Sequence, residues 1–310
     1  MARIAYLGPE GTFTEAALLK MFAAGVIPGG GSVTPQVTPH PMDSTPAALA
    51  AVRAGSADFA CVPIENSIDG TVLPTLDSLA TGAPLQIYGE LTLDVAFSIV
   101  TRPDRGADPV RTVAAFPVAA AQVREWLAEN LPTAQIVPSN SNAAAAQDVA
   151  AGRADAGVST ALAAQRYGLA TLADGVVDEP NARTRFVLVG PPGPPPARTG
   201  ADRTSVVLRI DNAPGALVSA MTEFGIRDID LTRIESRPTR TELGTYIFFL
   251  DCVGHIDDNA VAEALKALHR RCTDLRFLGS WPTGSATGAV PPQLDEADRW
   301  LQRLRRGDAS

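Results

Sequence analysis

Histidine and cysteine are scarce in this chain, with three of each among 310 residues. The histidines show no metal-ligand spacing with one another or with the cysteines, which argues against a zinc site and a histidine-based catalytic triad. Cys61, Cys252 and Cys272 lie far apart and are odd in number. We interpret them as reduced core thiols rather than as a disulfide framework.

Long apolar runs and excess positive charge are also missing. No run approaches the ~20 residues of a membrane span, and the first strand runs into Gly8 without signal-peptide architecture, so we expect a cytoplasmic protein with no membrane partner. The net charge of −8 and the pI near 5.0 argue against nucleic acid as a partner. The hydrophobic content of 45% and the length indicate two ordinary globular domains.

A diverged repeat organises the first 190 residues. Ala-Val-Arg-Ala-Gly-Ser-Ala-Asp at 51–58 resembles Asp-Val-Ala-Ala-Gly-Arg-Ala-Asp at 148–155. Each copy follows an alanine-rich helix opened by capping residues, 44–46 in one and 139–142 in the other, and precedes a short strand. A chance match of low-complexity sequence is the alternative. Duplication predicts two α/β lobes with a ligand cleft outside the carboxyl ends of their strands.

Three polar stretches are predicted at that cleft. Thr12 and Thr14 stand before an apolar helix, where they either favour an anion or form an ordinary capping box with Glu15. Glu65, Asn66 and Ser67 supply an acid, an amide and a hydroxyl at a strand exit. The third stretch consists of two adjacent hydroxyl residues of the second lobe, Ser159 and Thr160.

The segment 181–190 is a short buried strand with a polar start. Arg183, Thr184 and Arg185 precede four apolar residues and a glycine, so the segment is either a strand-capping turn or part of a site. Because the chain is acidic, an anionic ligand would need such local positive charge. Gln122 flanks the apolar face of a predicted helix from 119 to 130, and its local pattern alone indicates a solvated residue.

A second domain follows the Pro/Gly-rich linker at 191–203. Residues 204–281 alternate as βαββαβ, the ferredoxin-like arrangement, and contain no catalytic cluster. The tail at 282–310 includes a predicted amphipathic helix from 295 to 306, to which we assign no activity.

Five motifs together resemble the prephenate dehydratase family with its C-terminal ACT regulatory domain. They are Gly-Pro-Glu-Gly-Thr-Phe (8–13), Pro-Ile-Glu-Asn-Ser (63–67), Thr-Arg-Phe (184–186), Gly-Ala-Leu-Val (215–218) and Glu-Ser-Arg-Pro (235–238). The resemblance covers about residues 2–281. It implies an α/β fold, with a two-lobed, periplasmic-binding-protein-like catalytic domain at 1–190 and an ACT domain at 204–281. We expect lobe one at about 1–77 and 171–190, and lobe two at about 78–170.

The resemblance also implies the reaction and the residues that perform it. The family converts prephenate to phenylpyruvate, water and carbon dioxide without a metal or organic cofactor. Its catalytic residues match Thr184, Asn66 and Gln122, the last by spacing and a short helical context rather than by a strong motif. As substrate-binding residues we predict Arg185, Phe186, Glu65, Ser67, Thr12, Thr14, Ser159 and Thr160.

Regulation by phenylalanine is implied as well. The expected effector site is formed by Gly215, Ala216, Leu217 and Val218 with Glu235, Ser236, Arg237 and Pro238. ACT domains commonly pair edge to edge, so the resemblance implies a homodimer or homotetramer. Two alternatives stay open: a non-enzymatic amino-acid sensor, and an enzyme that acts on arogenate, whose side chain bears an ammonium in place of the keto group.

Overall fold

Two compact units make up the chain. The structure, a computed structural model, describes residues 2–28, 37–106, 108–239, 244–283, 288 and 295–307. The first unit contains Met1–Ser78 and Leu91–Gly190, and the second contains Leu79–Glu90 and Pro191–Ser310. No helix in the described part of the chain is both long and apolar enough to cross a membrane.

Two sheets form the framework of the first 190 residues. Their strands are β1 (Ala2–Leu7), β2 (Val37–Met42), β3 (Phe59–Asn66), β4 (Gly70–Thr71), β5 (Gln86–Asp94), β6 (Phe97–Thr101), β7 (Thr112–Ala115), β8 (Gln135–Pro138), β9 (Ala156–Ser159), β10 (Ala170–Val176) and β11 (Arg183–Gly190). The first sheet has the order β2-β1-β3-β11-β5, with β4 beside β3. The second has the order β10-β6-β9-β7-β8. The predicted two-lobed α/β architecture is therefore confirmed.

Seven helices are described between these strands. They are α1 (Phe13–Ala23), α2 (Thr45–Arg53), α3 (Leu73–Ala80), α4 (Pro117–Gln122), α5 (Arg124–Asn130), α6 (Asn142–Ala150) and α7 (Ala161–Arg166). The helix expected over 119–130 is divided at Val123, which is fully buried and has a non-helical backbone.

The lobe boundaries differ from the prediction. β5, expected in lobe two, is the last strand of the first sheet, and β10, expected in lobe one, pairs with β6 in the second sheet. Both strands lie outside the repeated segments, so the repeat carried no information about them. The chain crosses between the sheets after β5 and again before β11. A hydrogen bond of 2.7 Å from Val95 N to Ala182 O joins the two crossings.

The two repeats share their helix caps. Ser44 Oγ accepts a hydrogen bond from Ala47 N at 3.2 Å, and Ser141 Oγ accepts one from Ala144 N at 3.0 Å. The glycine after each helix, at positions 55 and 152, has φ near +70°, where an L-residue would be strained.

Each repeat then places an aspartate at the start of a neighbouring parallel strand. Asp58 Oδ2 accepts from Arg3 N at 2.8 Å, and Asp155 Oδ2 accepts from Arg111 N at 2.9 Å and Thr112 N at 3.0 Å. β1 pairs with β3, and β7 with β9, in parallel. The equivalence of the two copies therefore extends to the hydrogen bonds that join strands.

The C-terminal domain has the predicted βαββαβ order. Its elements are β12 (Asp202–Arg209), α8 (Ala216–Gly225), β13 (Leu231–Pro238), β14 (Tyr246–Val253), α9 (Asn259–Arg271) and β15 (Asp274–Pro282). The strands form an antiparallel sheet in the order β13-β14-β12-β15. The two helices bury Phe224 and Leu268 against Leu208 and Leu250. The tail helix is present as α10 (Asp295–Arg306), whereas 284–287, 289–294 and 308–310 of the predicted tail lie outside the described residues.

Candidate active site

A cavity of about 1040 Å³ opens in the first unit at the carboxyl ends of β1 and β3. Residues of both lobes line it. From lobe one come Leu7, Gly8, Pro9, Glu10, Thr12, Phe13, Thr14, Pro41, Met42, Asp43, Pro63, Asn66, Val72, Thr184 and Phe186. From lobe two come Phe116, Asn140, Ser141, Asn142, Ala144, Gln147 and Tyr167.

Thr184 and Asn66 are hydrogen-bonded at the edge of this cavity. β11 runs antiparallel to β3, and Thr184 is the register partner of Asn66. Asn66 Nδ2 donates to Thr184 Oγ1 at 3.0 Å, and only 8% of Thr184 is exposed. The two motifs that contain these residues, 118 positions apart, therefore meet in one pair.

The Asn66 amide is fixed in orientation by the turn that follows it. Its Oδ1 accepts hydrogen bonds from Ile68 N at 2.8 Å and Asp69 N at 3.0 Å. The Nδ2 group must therefore be the one that faces Thr184. Because the Thr184 oxygen accepts this bond, the hydroxyl proton is left for another acceptor. A molecule in the cavity can supply that acceptor.

Ser67 joins the same two strands outside the cavity. Its Oγ donates to Asn181 O at 3.0 Å and accepts from Arg183 N at 2.8 Å. The prediction made Ser67 a substrate contact, but it is not among the lining residues. Its bonds instead hold the start of β11 beside the end of β3, which sets the position of Thr184.

Arg185 and Glu65 pair with each other away from the cavity lining. Arg185 Nη2 lies 2.8 Å from Glu65 Oε2, and the arginine side chain is 8% exposed. Thr184 and Phe186 line the cavity, whereas Arg185 between them does not, as expected where successive residues of a strand face opposite sides. The structure thus brings Phe186 to the site, but not Arg185 or Glu65.

Thr12 caps α1 and lines the cavity at once. Its Oγ1 accepts from Glu15 N at 3.3 Å and donates to Leu7 O at 3.0 Å, while Glu15 Oε2 accepts from Gly11 N at 2.5 Å. The hydroxyl of Thr12 is therefore occupied by the cap. Thr14 also lines the cavity, and no residue in the described ranges makes a hydrogen bond to its side chain.

Ser159 and Thr160 support the cavity wall without lining it. Ser159 Oγ donates to Asn142 O, and Thr160 Oγ1 donates to Gly11 O, each at 2.6 Å. The first bond holds the beginning of α6, and the second connects the lobes. Both hydroxyls are therefore engaged within the protein, and their predicted contact with substrate stays a prediction.

Gln122 is buried rather than solvated. Only 8% of the residue is exposed, and its Oε1 is buried without a hydrogen-bond partner among the described residues. It lines a second cavity, of about 510 Å³, together with Ile68, Asp69 and Asp178. Ile68 and Asp69 are the two residues that fix the Asn66 amide. Gln122 therefore lies beside the turn that orients Asn66, but it is not among the lining residues of the larger cavity.

The prediction missed the polar residues at the beginning of α6. Asn140, Ser141 and Asn142 line the same cavity as Thr12 and Thr14. The repeat contained a usable signal, because it marked 139–142 as a helix cap in the lobe that faces lobe one. The charged lining residues in the described part of the chain are Glu10 and Asp43. Positive potential for an anion therefore has to come from the amino-terminal ends of α1 and α6.

Comparison with known proteins gives the family. The prephenate dehydratase family profile matches residues 4–193, and the ACT domain profile matches 204–270. The chain belongs to the prephenate dehydratase family. It is 76% identical to a prephenate dehydratase from Mycobacterium sp. strain JLS over 307 residues, which cover 99% of this chain and 97% of that protein. It is 73% identical to a prephenate dehydratase of Mycobacterium tuberculosis strain H37Ra over 307 residues, covering 99% and 95% respectively.

Solved structures agree with the family assignment. The prephenate dehydratase of Arthrobacter aurescens in complex with L-Phe is 40% identical, with a TM-score of 0.85 over 98% of this chain and 99% of that one. GqqA, described as a quorum quenching acylase, is 28% identical, with a TM-score of 0.78 over 91% and 98%. The predicted prephenate dehydratase family, with its ACT domain, is thus confirmed, and the sensor alternative loses its support.

The two ACT motifs of this prephenate dehydratase homologue lie on different elements and reach the surface. Gly215 is the N-cap of α8, with φ +79°, and Val218 on the first turn is 68% exposed. The Glu-Ser-Arg-Pro motif ends β13, which is an edge strand. Groups of three or more metal-ligating side chains are absent from the described residues.

Proposed function

We propose that this chain converts prephenate to phenylpyruvate, water and carbon dioxide, and that Thr184 is the hydrogen-bond donor to the departing hydroxyl. The observation that carries the assignment of Thr184 is its bond with Asn66. That bond occupies the threonine oxygen as an acceptor and leaves the O–H group to donate at the cavity edge.

The reaction needs a donor at this position. As the ring carboxylate leaves as carbon dioxide, its bonding electrons pass into the ring, and the ring C–O bond breaks with its electrons on oxygen. The departing oxygen takes up one proton and leaves as water, and the ring becomes aromatic. A threonine hydroxyl is too weak an acid to be fully ionised, so Thr184 acts as a positioned donor or relay, with Asn66 and Gln122 assisting. Positioned proton donation contributes ~10²–10⁴-fold to a rate.

The cavity offers two different environments to the two carboxylates of prephenate. The helix beginnings at Thr14 and Ser141 present backbone N–H groups and hydroxyls, which suit the side-chain carboxylate. Phe13, Phe116 and Phe186 form an apolar part of the lining. We assign the ring carboxylate to that part, because strong pairing would stabilise it against decarboxylation.

Arogenate is the second candidate substrate, and one observation favours it. Asp43 lines the cavity and has no side-chain hydrogen bond or ion pair to the described residues, so its carboxylate is available to an ammonium group. Prephenate has no ammonium to offer, whereas arogenate has one.

A direct assay separates these functions. Purified chain is incubated with prephenate, and phenylpyruvate is followed by its ultraviolet absorbance, with arogenate as a competitor and then as the sole substrate. Phenylpyruvate formation by the wild type, and its loss in Thr184→Ala but not Thr184→Ser, would support the proposal. Absence of product from prephenate with the wild type would refute it.

We extend the proposal to regulation and assembly. Phenylalanine would bind at 215–218 and 235–238, and edge strand β13 would pair with a second copy in a cytoplasmic homodimer or homotetramer. The surface exposure of both motifs, and of Ile234 on β13 at 56%, supports this arrangement. Light scattering after size exclusion measures the assembly, and titration calorimetry of the full chain measures phenylalanine binding. A monomer, or an absence of binding, would contradict the corresponding part.

A further inference from the structure

The residues Leu79–Glu90 belong to the same unit as the ACT domain, although more than 100 positions of the chain lie between them. Strand β5 is divided by this boundary: residues 86–90 are in the second unit and 91–94 in the first. A single strand is therefore shared by the regulatory and the catalytic unit. We call residues 79–90 the strap.

Hydrogen bonds hold the beginning of the strap on the ACT sheet. Arg276 of β15 donates to the carbonyl oxygens of Leu79 at 3.0 Å, Thr81 at 3.3 Å and Gly82 at 3.1 Å. The contact is close further along as well. A Cβ on Gly279 would stand 2.3 Å from Ile87 O, so no other residue fits there without displacing the strap.

Glu90, the last residue of the strap, is part of a buried ion network. Its Oε2 lies 3.2 Å from Arg203 Nε and accepts a hydrogen bond from Trp281 Nε1 at 3.0 Å. Arg203 Nη1 lies 3.7 Å from Asp251 Oδ2, and Asp251 pairs with Arg233 at 3.0 Å. All four charged side chains are at most 10% exposed. Removal of one charge from such a set leaves its partner uncompensated, so the four side chains have to respond together.

One end of the ion network lies on β13, which carries part of the proposed phenylalanine site, and the other end lies on β5, which continues into the catalytic unit. Arg233 is on β13, two residues before the Glu235–Pro238 motif. At the other end, Glu90 is followed directly by residues 91–94, and Asp94 lies 2.8 Å from Arg183, the neighbour of Thr184. Val95 N also bonds to Ala182 O at 2.7 Å. Strand β5 therefore connects Glu90 to the segment that carries the catalytic hydroxyl, through a buried ion network at one end and, at the other, this backbone bond and an exposed ion pair.

We propose that Glu90 is a positioning residue for regulation, which couples the state of the ACT sheet to Thr184 through strand β5. The proposal rests on the proposed function in one respect, namely that phenylalanine is the effector. It assigns no role to Glu90 in catalysis, since Glu90 lies outside the cavity lining.

The test compares Glu90→Gln with Glu263→Gln in the full-length protein. Glu263 makes an exposed ion pair with Lys266 in the same unit, so it controls for the loss of one carboxylate. The readouts are turnover of prephenate with and without phenylalanine, phenylalanine binding by calorimetry, and hydrogen exchange of residues 91–95. Allosteric coupling is typically ~5–150-fold.

For Glu90→Gln we expect phenylalanine to bind with near-normal affinity and basal turnover to stay near that of the wild type. The effect of phenylalanine on turnover should be lost, together with its effect on exchange at 91–95. Glu263→Gln should keep both effects. A Glu90→Gln protein that responds to phenylalanine as the wild type does would overturn the proposal.

A milder variant covers the case in which Glu90→Gln does not fold. Arg276→Met removes the three hydrogen bonds to the beginning of the strap but leaves the ion network intact. The variant should increase hydrogen exchange in residues 79–90. The effect of phenylalanine on turnover should weaken in proportion to that increase. An undiminished response would again overturn the proposal. Failure of the proposed catalytic function would be seen separately, as absent turnover in the wild type without phenylalanine. In that case the effect of phenylalanine on hydrogen exchange at 91–95 still tests the coupling.

Discussion

Asn66 donates its amide hydrogen to the oxygen of Thr184, and two backbone N–H groups prevent the amide from turning over. This places the direction of the threonine proton under the control of a residue 118 positions earlier in the chain. Exchange of donor for acceptor at position 66 should therefore reverse the hydrogen bond without altering the backbone.

Thr184→Ala should fold as the wild type does and lose ~10²-fold or more in kcat, the scale for removal of one preorganised donor. Thr184→Ser keeps the hydroxyl and should retain most of the activity. Steady-state kinetics with prephenate measure both variants, and circular dichroism checks the fold. Near-normal turnover in Thr184→Ala would show that the donor lies elsewhere.

Asn66→Asp should also lose ~10²-fold in kcat, because a carboxylate would accept the Thr184 proton and turn it away from the cavity. The bonds to Ile68 N and Asp69 N should survive in this variant. Asn130→Asp, at an exposed helix end, is the matched control. The double variant with Thr184→Ala should be little worse than either single one, since the pair acts as a unit. Additive losses would contradict the pairing.

Gln122→Leu should separate catalysis from stability. Because the proposed mechanism gives Gln122 an assisting role, kcat should fall by ~10²-fold. The free energy of unfolding should not fall, because a buried carbonyl without a partner costs about 1–3 kcal/mol and is removed. Urea unfolding and kinetics measure the two effects, with the exposed Gln165→Leu as control. Unchanged kinetics would leave Gln122 as a packing residue.

Asp155→Asn should reduce the dependence of the free energy of unfolding on pH in the acid range. Hydrogen bonds from Arg111 N and the Thr112 N–H and hydroxyl lower the pKa of the Asp155 carboxyl. Because the pKa of Asp155 is lower in the folded state, the ionised carboxylate stabilises the fold at pH values above its unfolded-state pKa of ~4. This stabilisation is lost as the pH falls through the folded-state pKa. The free energies of unfolding of the wild type and the variant should therefore differ more at pH 7 than at pH 3. Asp104→Asn, at an exposed aspartate, is the control for the loss of one carboxylate.

Gly11→Ala should destabilise the contact between the lobes. Gly11 has φ +88°, and a Cβ there would stand 2.9 Å from the Cβ of Ala163. Backbone strain and overpacking together predict a loss of about 2–4 kcal/mol in the free energy of unfolding. Thermal unfolding measures it, and Gly168→Ala, with φ +61° and open space, isolates the strain alone. Equal losses in the two variants would exclude the packing contribution.

Motifs located Thr184 and Asn66 in the sequence. What the motifs did not contain was strand register. Arg185 alternates away from the cavity toward Glu65, and this depends on which side of β11 faces the cavity. The local pattern of Gln122 indicated a solvated residue, because the break in the helix at Val123 leaves no mark in the apolar pattern, and only the family resemblance gave the residue a role.

The sequence also could not show to which of the two sheets β5 belongs. Its buried residues 86–89 include the apolar side chains of Ile87 and Tyr88, which either sheet could bury. Only tertiary packing decides between them, and the bond that Trp281 makes to Glu90 of β5 comes from 191 positions later in the chain.

The two crossings between the lobes, joined by the bond from Val95 to Ala182, have a mechanical consequence for the active site. If the lobes rotate about these crossings, an atom moves in proportion to its distance from the axis. Thr184 is two residues from Ala182 and would stay almost still, while Ser141 in the opposite lobe would travel. Opening would then alter the grip on the substrate and leave the proton donor in place.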